Sequence, residues 1–387
     1  MTSKRQCLCC SLLCLFFCTV ILQLCHNGLL KHVKHLLVKK QLHQTSLALS
    51  DIRRPQILTP FISTDPPSSS SVLSHHISFP HGDAVRDDVL NAPWVSVLRE
   101  TLHKFPSKQL NLVASNGQFR SILLNWLISS LVKLPRPLDN VLVIALDSDL
   151  HTLLEERGVP SVYVDNTTVV SMDTEMQTRY SHIWITRTTV YRLISHWGYD
   201  IAVFDSDAIL LQNPTQLFDT YKDVDMIGSA GSYPFLLGEK WGVTFCMGVA
   251  LFRHTHRTEL LWEVLAGTRN FSMDDQVKLN YALDECSIQW SPVHVQTETV
   301  LGECAADKLG GLRVAVLPHS VICRKAPCAS SLYVLHRNSR KESSAKRQIA
   351  RTYGVWYLRP NWTMIDSRTT GSTRLTGTEW LRAIARS

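Results

Sequence analysis

Tyr199-Asp200-Ile201-Ala202-Val203-Phe204-Asp205-Ser206-Asp207, continuing as Ala208-Ile209-Leu210-Leu211-Gln212-Asn213-Pro214, is the stretch from which the fold reads outward. Ile201–Phe204 is a short apolar run approached through Gly198-Tyr199 and left on two acids, the pattern of a buried strand with a polar end. Two carboxylates leaving such a strand repel one another and cost desolvation energy unless a cation or water takes them up. A hard divalent metal bridged to a diphosphate meets that need, because such ions accept a couple of carboxylates and complete their shell with phosphate oxygens and water. Asp-x-Asp alone fits a solvated turn better than a metal site. The strand before it, the Gly198-Tyr199 approach and the Asn213-Pro214 exit favour the metal.

Upstream, strands and helices alternate. Leu110–Ala114 reads as a first strand, Phe119–Leu134 as a helix ended by Pro135, and Val141–Leu146 as a second buried strand running into Asp147. His151–Arg157 reads as a short helix stopped by Gly158, Val162–Val164 as a third strand, and Thr178–His196 as a long helix stopped by Gly198. Repeated strand-helix order predicts an α/β domain with a largely parallel sheet and helices on both faces. Ligands of such sheets gather at the carboxyl ends of the strands, here Ser115-Asn116, Asp147 and Asp205-Ser206-Asp207. Downstream, Asp274-Asp275-Gln276 opens an amphipathic helix through Leu283. His336 follows a strand at Leu332–Leu335, with Lys346 beyond it.

The chain has 387 residues, 45% apolar and 19% charged, enough to bury a full core. Its net charge of +7 is spread, with no basic, aromatic-interleaved stripe, so no nucleic-acid partner is expected. Cys7–Cys25 is free of charge, follows Lys4 and Arg5, and is long enough to cross a bilayer as a helix. No small-x-small site follows it, which favours a retained signal anchor over a cleaved peptide. The expected order is a cytosolic tail at 1–6, a membrane helix at 7–25, a Pro- and Ser-rich stem at 26–92 and a catalytic domain at 93–387.

Flanking lysines leave orientation open. Sequons at Asn166, Asn270 and Asn361 support a lumenal C-terminal side, hence a single-pass type II protein of the Golgi membrane or of the endoplasmic reticulum. Eleven cysteines are present, six of them within 7–25. An oxidising lumen allows two disulfides among Cys246, Cys286, Cys304, Cys323 and Cys328 with one left over, the pairing being unreadable from spacing. No zinc-type spacing occurs.

From Asn116 to Trp356 a set of pieces falls in one order: Asn116, Asn125-Trp126, Ala145-Leu146-Asp147, Gly198-Tyr199, Asp205-Ser206-Asp207, Gly248, Asp275-Gln276, His336-Arg337-Asn338, Lys346 and Gly354-Val355-Trp356. In that order the chain resembles the nucleotide-diphospho-sugar transferase family, as represented by glycosyltransferase family 77, across most of residues 108–358. The resemblance implies a GT-A-type, Rossmann-like domain, a UDP-sugar donor, Mn2+ or Mg2+, a glycan or glycoprotein acceptor, and transfer with retention of configuration. By the same resemblance, Asp205, Asp207 and His336 hold the metal. Ser115, Asn116, Asp147, Arg187, Ser206, Gly248 and Lys346 face the donor, and Asp275 and Gln276, with Asp274 beside them, position its sugar. Asp274 fits a helix N-cap as well, Ser115, Asn116 and Asp147 fit ordinary strand-end turn chemistry, and a solvated basic face accounts for Lys346 and Arg187 nearly as well.

One departure is Cys246-Met247-Gly248, where related enzymes often carry a small polar residue before the glycine. Two rivals are a haloacid-dehalogenase-type phosphohydrolase with Asp205 as nucleophile and Asp207 as acid/base, and a lumenal carbohydrate-binding protein without turnover. Three strands before the motif and Ile209 after it disfavour the first. Clustered charge retained without use disfavours the second.

Overall fold

A computed structural model describes residues 87–165, 167, 169, 181–267, 274–294, 297–329, 331–338, 342–363 and 375–386. The tail and membrane helix expected at 1–25, nearly all of the stem, and the sequons at Asn166 and Asn270 lie outside them. Among the described residues no helix is long and apolar enough to cross a membrane.

The strands are β1 Gln109–Ser115, β2 Val141–Ala145, β3 Ser161–Tyr163, β4 Asp200–Phe204, β5 Ile209–Leu210, β6 Met226–Gly231, β7 Thr244–Phe252, β8 Gln289–Trp290, β9 Val300–Glu303, β10 Arg313–Leu317, β11 Ile322–Cys323 and β12 Val334–Leu335. Nine of them form one sheet in the order β3-β2-β1-β4-β7-β6-β10-β9-β8, and β11-β12-β5 form a second, small sheet. Side chains alternate across the large sheet, so one strand feeds two cores. Leu110, Leu112, Ile201 and Val203 join Phe252 and Trp262 on one face. Val113, Ala202 and Phe204 join Trp126 and Trp380 on the other. Each large side chain buried this way contributes about 2 kcal/mol.

The sheet is mixed rather than largely parallel, since four of its eight pairings are antiparallel. β3, β2, β1 and β4 run parallel, as the alternation predicts. Reversed β7 and β9 account for the antiparallel pairs. The helix Phe235–Trp241, between β6 and β7, makes an excursion at one sheet end instead of a crossover. Strand-helix-strand patterning does not distinguish the two cases.

Boundaries shift where local chemistry intervenes. The helix expected at 119–134 is α-helical at Arg120–Ile128 and continues as a π-helical turn at Ser129–Lys133, where the Ser129 and Ser130 hydroxyls donate back to the Trp126 carbonyl. The helix expected from His151 starts earlier, at Ser148, because Asp147 caps it. The long helix spans Ser181–His196.

Disulfides join Cys286 to Cys304 and Cys323 to Cys328, leaving Cys246 as a buried thiol. This is the expected count, and the structure supplies the pairing.

Asn125, fully buried, ties the helix Arg120–Ile128 to the segment 355–358. Its amide donates to the Val355 carbonyl at 3.0 Å, and its carbonyl oxygen accepts from Tyr357 N at 2.6 Å and Leu358 N at 3.3 Å. Asn125→Leu strands three backbone groups in the core and is expected to lower the unfolding free energy by about 3 kcal/mol, measured by urea denaturation.

Candidate active site

β4 ends at Phe204, and Asp205 N continues its pairing to β7 by donating to Gly248 O at 2.8 Å. Opposite β6, β7 carries a register shift: Gly228 pairs with Ala250 but Ser229 with Cys246, so Met247, Gly248 and Val249 bulge at the tip of β4. A Cβ on Gly248 would lie 2.0 Å from His336 Cε1 and 2.5 Å from Asp205 Oδ2, so only glycine lets the three meet.

The small sheet brings His336 there. β5 begins two residues after Asp207 and pairs antiparallel with β12, Leu335 opposite Ile209. His336, next in the chain, thereby reaches the acids, its Nε2 3.4 Å from Asp205 Oδ2 and 3.8 Å from Asp207 Oδ1. The Cys323–Cys328 loop backs the ring: Arg324 Nη1 donates to His336 Nδ1 at 2.7 Å and to the His336 carbonyl at 3.1 Å. A guanidinium only donates, so Nδ1 accepts and Nε2 carries its hydrogen toward Asp205.

Arg187, on the helix Ser181–His196, bridges two acids. Its Nη1 donates to Asp205 Oδ1 at 2.7 Å and its Nε to Asp275 Oδ2. With 12% of its side chain exposed, Arg187 does not lie on a solvated face. Burial alone would raise the Asp205 carboxyl, but the Arg187 charge and the His336 contact outweigh burial and hold it well below the usual range. Lys346, in the first turns of the helix Ser343–Thr352, pairs with Asp207 Oδ2.

The third acidic position is a helix start. Asp274 is the N-cap of the helix Asp275–Glu285, its Oδ1 accepting from Gln276 N at 2.9 Å. Asn280 clamps that helix to β7 by accepting from Phe245 N at 2.8 Å and donating to Phe245 O at 2.7 Å.

Burial and the neighbouring Asp275 push the Asp274 carboxyl up to about 7. The folded state therefore holds a proton that the unfolded chain releases near pH 4, so this group's contribution to stability is full below about pH 4 and is lost as pH rises toward 7. Asp274→Asn is expected to flatten that part of the stability–pH curve, read from urea unfolding of both proteins between pH 4 and 8.

These elements enclose an open cavity of about 210 Å³. Among its lining residues are Ser115, Asn116, Arg187, Asp205, Ser206, Asp207, Gly248, Asp274, Asp275, Gln276 and Lys346. Ser115 Oγ and Asn116 Oδ1 are buried there without a protein partner. Asp147 does not line it: its carboxylate accepts from Gly117 N and from Leu150 N, the latter at 2.9 Å, which is strand-end turn chemistry. Asn361 is exposed.

Sequence reading passed over the apolar wall (Phe119, Leu146, Ile183, Trp184, Met247) and Arg324. Ile183, Trp184, Arg187 and Tyr191 stand at helical spacing, and an arginine inside that stripe was the available signal. Nothing in the sequence marks Arg324.

A divalent ion suits what is present. Oxygens of Asp205 and Asp207 and a nitrogen of His336 lie within 4.8 Å of one another, a mixed carboxylate and imidazole set suited to a first-row divalent ion. Ligation through Nε2 requires its hydrogen to move to Nδ1 and Arg324 to turn wholly onto the His336 carbonyl.

Residues 136–349, more than half of the chain, match the nucleotide-diphospho-sugar transferase family, and the chain belongs to that family. Among solved structures it is similar to the galactosyltransferase LgtC in complex with donor and acceptor sugar analogues, at 13% identity and a TM-score of 0.41, over 66% of this chain and 99% of that one. It is also similar to mouse xyloside xylosyltransferase 1, at 13% identity and a TM-score of 0.38, over 57% of this chain and 89% of that one. A third similar structure is the bifunctional glycosyltransferase WbbM, at 12% identity and a TM-score of 0.35, over 46% of this chain and only 38% of that one. No curated protein sequence matches the chain.

Proposed function

We propose that the chain transfers a sugar from a UDP-sugar to a hydroxyl of a glycan or glycoprotein, with retention of configuration. The observation that carries this reading is the convergence of Asp205, Asp207 and His336 beside a cavity that Asp275, Gln276, Lys346 and two unpartnered polar groups also line. A Mn2+ or Mg2+ ion on Asp205, Asp207 and His336 would supply charge stabilisation at the donor diphosphate.

The protein's own groups do the rest. Ser115 and Asn116 offer the nucleoside a hydroxyl and an amide. Lys346, kept in place by Asp207, adds an ammonium for the departing UDP. Gln276, fixed by its bond to the Tyr233 carbonyl, and Asp275, fixed by Arg187, orient the sugar. Because Arg187 engages the Asp275 carboxylate, that group is better suited to positioning than to forming a glycosyl ester. The acceptor hydroxyl then attacks on the face UDP leaves and passes its proton to a donor phosphate oxygen.

The two disulfides and exposed Asn361 support an oxidising lumen, and residues 7–25 serve as the anchor of a type II Golgi protein in this reading. Family membership removes the phosphohydrolase rival. A non-catalytic carbohydrate binder is the remaining alternative.

The full-length chain, incubated with a panel of UDP-sugars and Mn2+, is expected to release UDP from one of them and to stop when a chelator is added. Silence across the panel from folded protein that still binds glycans would favour the binder.

A further inference from the structure

Six large apolar side chains are strongly exposed among the described residues, and three of them fall in one four-residue segment: Tyr233 at 40%, Phe235 at 66% and Leu236 at 37%. Their neighbours Pro234 and Leu237 are buried, so the segment is pinned while its rings stand outward. Tyr233 and Phe235 meet edge to face, ring centroids 5.5 Å apart at 77°, which fixes both planes. Exposed aromatic surface held rigid in this way costs solvation and marks a contact site.

The segment abuts the cavity. Gln276, which lines the cavity, donates from Nε2 to the Tyr233 carbonyl at 2.6 Å. Asp274, two residues before Gln276, lines the same cavity. A pyranose ring has an apolar C–H face and a polar rim of hydroxyls, and rigid aromatic rings beside a carboxyl complement both.

We propose that Tyr233 and Phe235 form a stacking platform for the acceptor saccharide, with Asp274 addressing its hydroxyls at the cavity mouth. This rests on the transferase reading for the identity of the cavity. Three side chains fall far short of the roughly 20–30 residues of a stable dimer face, and their continuity with the cavity points to the occupant that must enter it.

The test uses full-length wild type, Phe235→Ala and Phe235→Trp, each fluorescently labelled and applied with UDP and Mn2+ to a printed glycan array. UDP affinity is followed by calorimetry and self-association by sedimentation. Wild type is expected to retain a subset of glycans, Phe235→Ala to bind them about tenfold more weakly, and Phe235→Trp to keep them, with UDP affinity the same in all three. The platform is overturned if wild type binds UDP but no glycan, if Phe235→Ala holds glycans as wild type does, or if only self-association changes. Failure of wild type to bind UDP with Mn2+ removes the transferase reading instead, and the platform with it.

Discussion

Asp207→Ala is expected to lower metal-dependent donor turnover by about a thousandfold or more, the scale associated with removing a group that stabilises developing charge. Asp207 serves two partners, one carboxylate oxygen 3.8 Å from His336 Nε2 and the other paired with Lys346. In the proposed reading its removal would leave an ion with Asp205 and His336 alone and would free the Lys346 ammonium from the geometry that presents it to UDP. Manganese titration by electron spin resonance should show the affinity loss directly, beside UDP release. Asp207→Asn keeps one oxygen ligand without the charge and is expected to fall between the two proteins. Equal manganese affinity in Asp207→Ala and wild type would exclude the carboxylate as a ligand.

Gly248→Ala is the second large effect, and it adds one methyl group without removing any functional atom. That methyl lands 2.0 Å from His336 Cε1 and 2.5 Å from Asp205 Oδ2. Neither neighbour yields easily: His336 is buried against Arg324, and the Asp205 backbone is bonded to Gly248 itself. Overpacking of this kind costs about 1–3 kcal/mol of stability. Displacement of two of the three proposed ligand groups is expected to cost about a hundredfold or more in turnover, with manganese affinity lost in parallel. Thermal melting separates the two effects, since a folded, inactive protein is the expected product. A folded Gly248→Ala with full activity would exclude His336 from the metal site.

Much of this arrangement is legible in the sequence, for reasons that differ between elements. Ile201–Phe204 and Val141–Ala145 announce themselves because strands buried on both faces read as unbroken apolar runs. The acids follow because strand ends of such sheets face ligands. The reversal of β7 was not legible, because a helix between two strands looks the same whether the chain crosses over or doubles back. The contact of His336 with Asp205 was legible through the family resemblance alone, because the pair of two-residue strands that makes it is too short to carry periodicity. Arg187 could be read as a surface cation because one-dimensional spacing does not show that its helix turns that face inward, onto Asp205 and Asp275. Asp147 illustrates the opposite case: a strand-end acid with a ligand-like position whose carboxylate is used locally, by the helix it caps.

The Asn125 clamp has a consequence for how the protein is made. Its partners are residues 355, 357 and 358, more than two hundred positions downstream, and the Lys346–Asp207 pair spans 139 positions. A ribosome-bound chain that has exposed the whole parallel half of the sheet still lacks the residues that close the helix Arg120–Ile128 and complete its acidic cluster. Such late, long-range closure is slow and leaves an apolar helix face waiting for its cover. A truncation between residues 336 and 354 thus keeps all twelve strands yet leaves that helix face uncovered, and is expected to need chaperones to stay soluble.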